Sequence, residues 1–126
     1  MKTILAALAV LCLGSMAAIA HEDHKHNSKH GGVVVESGHH VLEIVAADGS
    51  LQLHVAGEDG KPEDVKDAKA SAAILSGGKK VDVELAPAEP NILKGTGAFK
   101  AAKGTVIIVT LTMPGHEPEQ ARVKLD

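Results

Sequence analysis

Residues 30–56 read HGGVVVESGHHVLEIVAADGSLQLHVA. Two runs in which apolar and polar residues alternate flank Asp48-Gly49, and that pattern marks a β-hairpin. A two-residue Asp-Gly loop favours a type I′ turn, which needs φ > 0 at both central positions and matches the strand twist. Such a turn sets the register. Ala47 faces Ser50, Val45 faces Gln52, Ile44 faces Leu53, Glu43 faces His54, and Leu42 faces Val55. Side chains alternate across a strand, so Leu42, Ile44, Leu51, Leu53 and Val55 share one buried face. Glu43 and His54 fall on the opposite face as a directly opposed pair, with β-carbons about 4.5–5.5 Å apart. On a solvated face such a pair contributes roughly a few tenths of a kcal/mol to stability.

Outward from the hairpin, the N-terminal side changes character twice. Residues 21–32, HEDHKHNSKHGG, are polar and His-rich, and are expected to form a flexible tail without regular structure that ends in a Gly-Gly hinge. Residues 1–20 read as a secretory signal peptide: Lys2, an apolar run from Ile4 to Leu13, and the A-x-A cleavage pattern Ala18-Ile19-Ala20. The apolar run is too short for a stable membrane anchor. Cys12, the only cysteine, lies inside it, so the mature chain has neither disulfides nor thiolate ligands. The bacterial periplasm is the expected destination.

The mature chain, His21 to Asp126, carries 12 basic and 16 acidic residues and a formal charge of −4. With Phe99 its only aromatic residue besides histidine, the core must be aliphatic. Mild acidity without stacking platforms argues against nucleic acid as a partner. A chain of about 100 residues buries roughly 60–70% of its unfolded surface, enough for one domain over residues 33–126.

Toward the C-terminus the pattern stays β. Val33 to Glu36 reads as a first strand. Residues 68–75 alternate small and polar side chains and read as a strand, with an Ala-rich helix over 63–75 as the competing reading. Val81, Val83 and Leu85 alternate with Lys80, Asp82 and Glu84 in a strand that Pro87 and Pro90 are expected to end. Asn91 to Lys94 and Ala98 to Lys100 read as short strands, and Gln120 to Leu125 as the last one. Thr105 to Thr112 is apolar on both faces at Ile107-Ile108-Val109 and is expected to be central. Seven or eight short strands with turn residues between them indicate an all-β fold, an antiparallel β-sandwich of immunoglobulin-like type.

All eight histidines lie in the mature chain. His21, His24, His26 and His30, with Glu22 and Asp23 among them, offer imidazole and carboxylate donors, which suit Cu²⁺, Zn²⁺, Ni²⁺ or Co²⁺. Cleavage after Ala20 would add the free α-amine of His21 as a further donor. On the sheet, Glu43 and His54 could be joined by His30, His39 or His40. Strict alternation points His40 to the core side and His39 to the side of Glu43. His116, in a Pro-Gly-His-Glu-Pro loop, reads as plain surface. Neither a nucleophile elbow, a catalytic cysteine, an H-E-x-x-H pair nor a phosphate loop occurs, so no enzymatic activity is expected.

His30-Gly31-Gly32, the apolar run after it, Gly38-His39-His40, Leu42-Glu43, the D-G-x-L-x-L-x-V pattern at 48–55 and Gly60-Lys61-Pro62 together carry a resemblance. They resemble small secreted H-G-G proteins of Gram-negative bacteria and a periplasmic segment of adaptor subunits in cobalt–zinc–cadmium-type efflux systems. The resemblance implies a β-sandwich with a role in periplasmic metal handling, and on matching positions it supports His30, His40 and Glu43 as ligands. The expected function is a periplasmic divalent metal buffer or carrier linked to efflux, with Cu or Zn as the bound ion and an efflux adaptor as partner. The alternative is an interaction module accessory to such an adaptor, with incidental histidines. Ligating imidazoles must be neutral, so metal affinity is expected to fall below about pH 6.5.

Overall fold

The computed structural model describes residues 27–126. Residues 1–20, expected to be a signal peptide, and His21, His24 and His26 lie outside the described residues. Eight antiparallel strands make up the domain: β1 (Val33–Ser37), β2 (His40–Ala47), β3 (Ser50–Gly57), β4 (Lys69–Ser76), β5 (Lys79–Glu89), β6 (Ile92–Thr96), β7 (Val106–Thr112) and β8 (Glu119–Lys124). They hydrogen-bond in the order β1-β2-β3-β6-β5-β4-β7-β8. The described residues contain no helix, so residues 69–76 are a strand and the Ala-rich helix does not form. Ala70, Ala72 and Ile74 are buried there, against Leu85, Val83 and Val81 of β5 and Leu111, Val109 and Ile107 of β7. Period-2 burial between two neighbours outweighs the helix propensity of alanine.

The order runs without a break because β5 serves two ladders. Residues 79–85 pair with β4, and Ala86, Pro87 and Glu89 pair with β6, with a register shift between Pro87 and Glu89. Pro87 therefore does not end the strand. It sits where β5 turns the corner, at an irregularity of the kind that tolerates a missing N–H. The bend folds the sheet into two packed layers, and β1 comes to lie against β8, so the sandwich is nearly a barrel. Ser37 Oγ donates to the Gln120 carbonyl across that seam at 3.0 Å.

The interior is aliphatic, as the composition demands. Leu42, Ile44, Leu51, Leu53, Val55, Ile74, Val83, Leu93, Ile107, Val109 and Leu111 are all essentially inaccessible. Each stabilises the fold by about 1.5–3 kcal/mol relative to exposure. β7 lies between β4 and β8, but only its inward side is buried; Val106 and Ile108 are half-covered. Residues 98–100 form no strand. Phe99 buries its ring from a loop whose carbonyl accepts from Gly49 N at 3.0 Å.

That loop also explains the hairpin turn. The register is the expected one at every position from Leu42–Val55 to Ala47–Ser50. The turn type is not. Only Gly49 has positive φ, at 76°, and Asp48 does not, so a type I′ turn is not formed. Asp48 Oδ1 accepts from Ala101 N at 2.9 Å, and Gly97 N donates to the Gly49 carbonyl at 3.1 Å. Tertiary hydrogen bonds to residues 97–101 outweigh the local preference for the primed turn.

Candidate functional site

β2 and β3 hold Glu43 and His54 directly opposite one another, as the register requires. Their environment differs from expectation. Each is only 7% exposed, so the pair does not lie on a solvated face. The covering element is the described part of the expected flexible tail. Residues 27–32 lie as a strap over the outer face of β2 and β3, held by a single carboxylate.

Glu43 Oε1 accepts from Lys29 N at 3.0 Å and His30 Nδ1 at 3.0 Å. Its Oε2 accepts from Ser28 Oγ at 2.9 Å, His30 N at 2.8 Å and Gly32 N at 2.9 Å. Successive backbone N–H groups converging on an anion form a nest. Burial pushes the Glu43 carboxyl up, but the bonds from Gly32, Lys29 and His30 outweigh it and hold the group at about 2. Glu43 is therefore an anchoring anion with both oxygens filled.

The two glycines of the H-G-G motif follow from this geometry. Gly31 takes φ 77°, and a Cβ on Gly32 would collide with the Ile44 carbonyl as the strap enters β1. Gly32→Ala is expected to cost about 1–3 kcal/mol, through displacement of the strap rather than loss of a core contact. A melting curve checks it; an unchanged midpoint would mean that the strap yields without strain.

His30 stacks on His54, with ring centroids 3.9 Å apart and planes 17° from parallel. Its Nδ1 donates to Glu43, so a neutral His30 ring presents a bare Nε2. His54 Nε2 lies 3.3 Å from Gln52 Oε1, and His54 Nδ1 is buried without a hydrogen-bond partner. Burial, followed by the neighbouring His30, holds the His54 imidazole below its ordinary range. A cavity of about 330 Å³ opens beside these rings, with Val34, Val41 and Pro62 among its walls.

The other predicted residues lie elsewhere. His39 is exposed, its Nδ1 3.0 Å from Glu58, and that carboxylate raises its pKa. His40 is 4% exposed and points inward, as alternation requires. Its Nδ1 lies 2.9 Å from both oxygens of Glu119, and its Nε2 2.9 Å from Glu63. His116 is exposed, as expected of plain surface, and meets the His40 ring edge-on at 6.0 Å. The structure thus joins His30, Glu43 and His54 and separates them from His39 and His40. Among the described residues no three His, Asp or Glu side chains are arranged to hold a metal ion.

Gln52 has one signal in the sequence, its position two residues from His54 and so on the same face. Glu63 and Glu119 carried no signal, being 23 and 79 residues from His40. No protein-family model, curated protein or solved structure matches the chain.

Proposed function

We propose that this protein binds a divalent transition-metal ion, Cu²⁺ or Zn²⁺, in the periplasm and acts as a buffer or carrier linked to metal efflux. The observation that carries the reading is the buried, unpartnered Nδ1 of His54 beneath the ring of His30. A buried imidazole nitrogen without a partner costs stability, and a metal ion is the partner that suits it. Two imidazoles whose remaining nitrogens are held by oxygen acceptors match the usual surroundings of metal-ligating histidine.

Near-parallel rings send their in-plane lone pairs side by side, not to one point. Joint ligation therefore needs His30 to turn, and His30 is the partner free to do so, being half-exposed on the strap. Glu43 acts from behind, as the acceptor for His30. His21, His24 and His26 precede the strap in the chain and are the candidates for first capture and for completing the coordination sphere.

Calorimetric titration of the mature protein with Cu²⁺, Zn²⁺ and Ni²⁺ tests this. The wild type is expected to show one tight site plus weaker binding, and His54→Ala to lose the tight site while keeping the weaker one. Equal binding by both would move the function to the tail histidines. Absence of binding would favour the adaptor-accessory module, in which the filled acceptors of Glu43 and the double pairing of His40 are purely structural.

A further inference from the structure

We infer that Gln52 is a positioning residue for metal capture: it selects the imidazole tautomer of His54 that leaves Nδ1 a bare lone pair. The inference rests on the metal-binding reading above. A carboxamide oxygen has no proton to give, so the contact between Gln52 Oε1 and His54 Nε2 requires the N–H to sit on Nε2. A neutral imidazole carries one N–H only, and Nδ1 is left with its lone pair. Nδ1 is also the nitrogen that the fold buries without a partner. The opposite tautomer would bury an unsatisfied N–H there and face two lone pairs toward each other at Gln52, a double cost.

The arrangement at His30 is the same in kind. Glu43 accepts a hydrogen bond from His30 Nδ1–H, leaving the Nε2 lone pair free, and Gln52 Oε1 accepts one from His54 Nε2–H, leaving that of Nδ1 free. Each ring therefore has one nitrogen committed to an oxygen acceptor and one available for a metal. The acceptors differ in strength. His30 has a carboxylate at 3.0 Å, whereas His54 has a neutral amide at 3.3 Å. A carboxylate behind a ligating imidazole raises its donor strength, so His54 is the ring whose affinity can still be tuned. Gln52 is placed for this by strand geometry alone: it precedes His54 by two residues on β3 and shares its outer face, opposite Val45 of β2 and Lys94 of β6.

Two variants and two readouts test the inference. The ring ¹⁵N shifts of His54 in the metal-free protein report the tautomer, and Zn²⁺ calorimetry reports affinity. The wild type is expected to show protonated Nε2. Gln52→Leu should lose that preference and bind Zn²⁺ about 10–100-fold more weakly, whereas Gln52→Glu should keep the tautomer and bind at least as tightly as wild type. A merely structural Gln52 would not make the carboxylate variant rescue what the apolar one loses. Protonated Nδ1 in the wild type, or equal Zn²⁺ affinity in the wild type and Gln52→Leu, would overturn the role of Gln52 while leaving metal binding intact. No Zn²⁺ binding by the wild type would overturn the metal reading and this inference with it, even if the ¹⁵N shifts show protonated Nε2.

Discussion

Glu43→Gln is expected to release the strap and lower stability by about 2–4 kcal/mol, with new tryptic cleavage at Lys29. One carboxylate accepts five hydrogen bonds from residues 28–32. An amide keeps one oxygen and turns an NH₂ toward groups that are themselves donors. Bonds to a charged acceptor contribute about 1.5–3 kcal/mol each, and water recovers part of that once the strap lifts. Acid should act the same way. Glu43 is held at about 2 in the fold against 4.5 in its absence, so its contribution is complete above about pH 4.5 and is lost as pH falls toward 2. At about 1.4 kcal/mol per pH unit, that contribution is on the order of 3 kcal/mol. His54 acts in the same direction at higher pH: its imidazole is lowered by burial, so the fold favours the neutral ring and loses stability as pH falls below 6.5. Chemical denaturation of wild type and Glu43→Gln at pH 7 and pH 3 measures both effects. Equal stability of the two proteins at pH 7 would show that the strap is held by something other than Glu43.

The hairpin was readable because its information is local. Register follows from period-2 alternation and a two-residue loop, and a slip by one residue would turn Leu42, Ile44 and Leu53 outward. The same rule placed His40 inward. What the pattern could not carry was the cover over Glu43. A polar side chain on an outward-facing position looks solvated until another segment crosses it, and the crossing segment, Ser28 to Gly32, is too polar to read as structure. It is ordered by backbone donors meeting one anion, a contribution that hydropathy does not register. The Asp48-Gly49 turn failed as a type I′ turn for a related reason, since its partners in residues 97–101 lie some fifty residues away. The Glu119 partner of His40 is likewise a product of closure, fixed only once β8 reaches β1, whereas Glu63 is held by the backbone bond of its own N–H to Val55 of β3.

His40→Ala is expected to be the most damaging single substitution at the histidines. The ring is buried at 4% exposure between Glu119, at the start of β8, and Glu63, in the loop after β3. Its removal leaves a cavity and two carboxylates facing one another across the seam, with the Ser37 Oγ bond to Gln120 beside them. Loss of a buried ring and of its contacts to two carboxylates, one of them 39% exposed, costs about 2–4 kcal/mol. For a domain of this size that lowers the melting midpoint by at least about 8 °C. His39→Ala is the matched control: its side chain is 80% exposed, and the change should leave the melting midpoint unchanged. The double variant His40→Ala/Glu119→Gln should recover part of the loss, because it removes one of the two uncompensated charges. The damage also reaches the site. β1 joins the seam to the strap, so loosening β1 from β8 should undock His30 from His54, and tryptic cleavage at Lys29 should rise in His40→Ala as in Glu43→Gln. A His40→Ala protein that melts like wild type would show that β1 and β8 are held together by the apolar interior alone, and the histidine at the seam would then be free for another use.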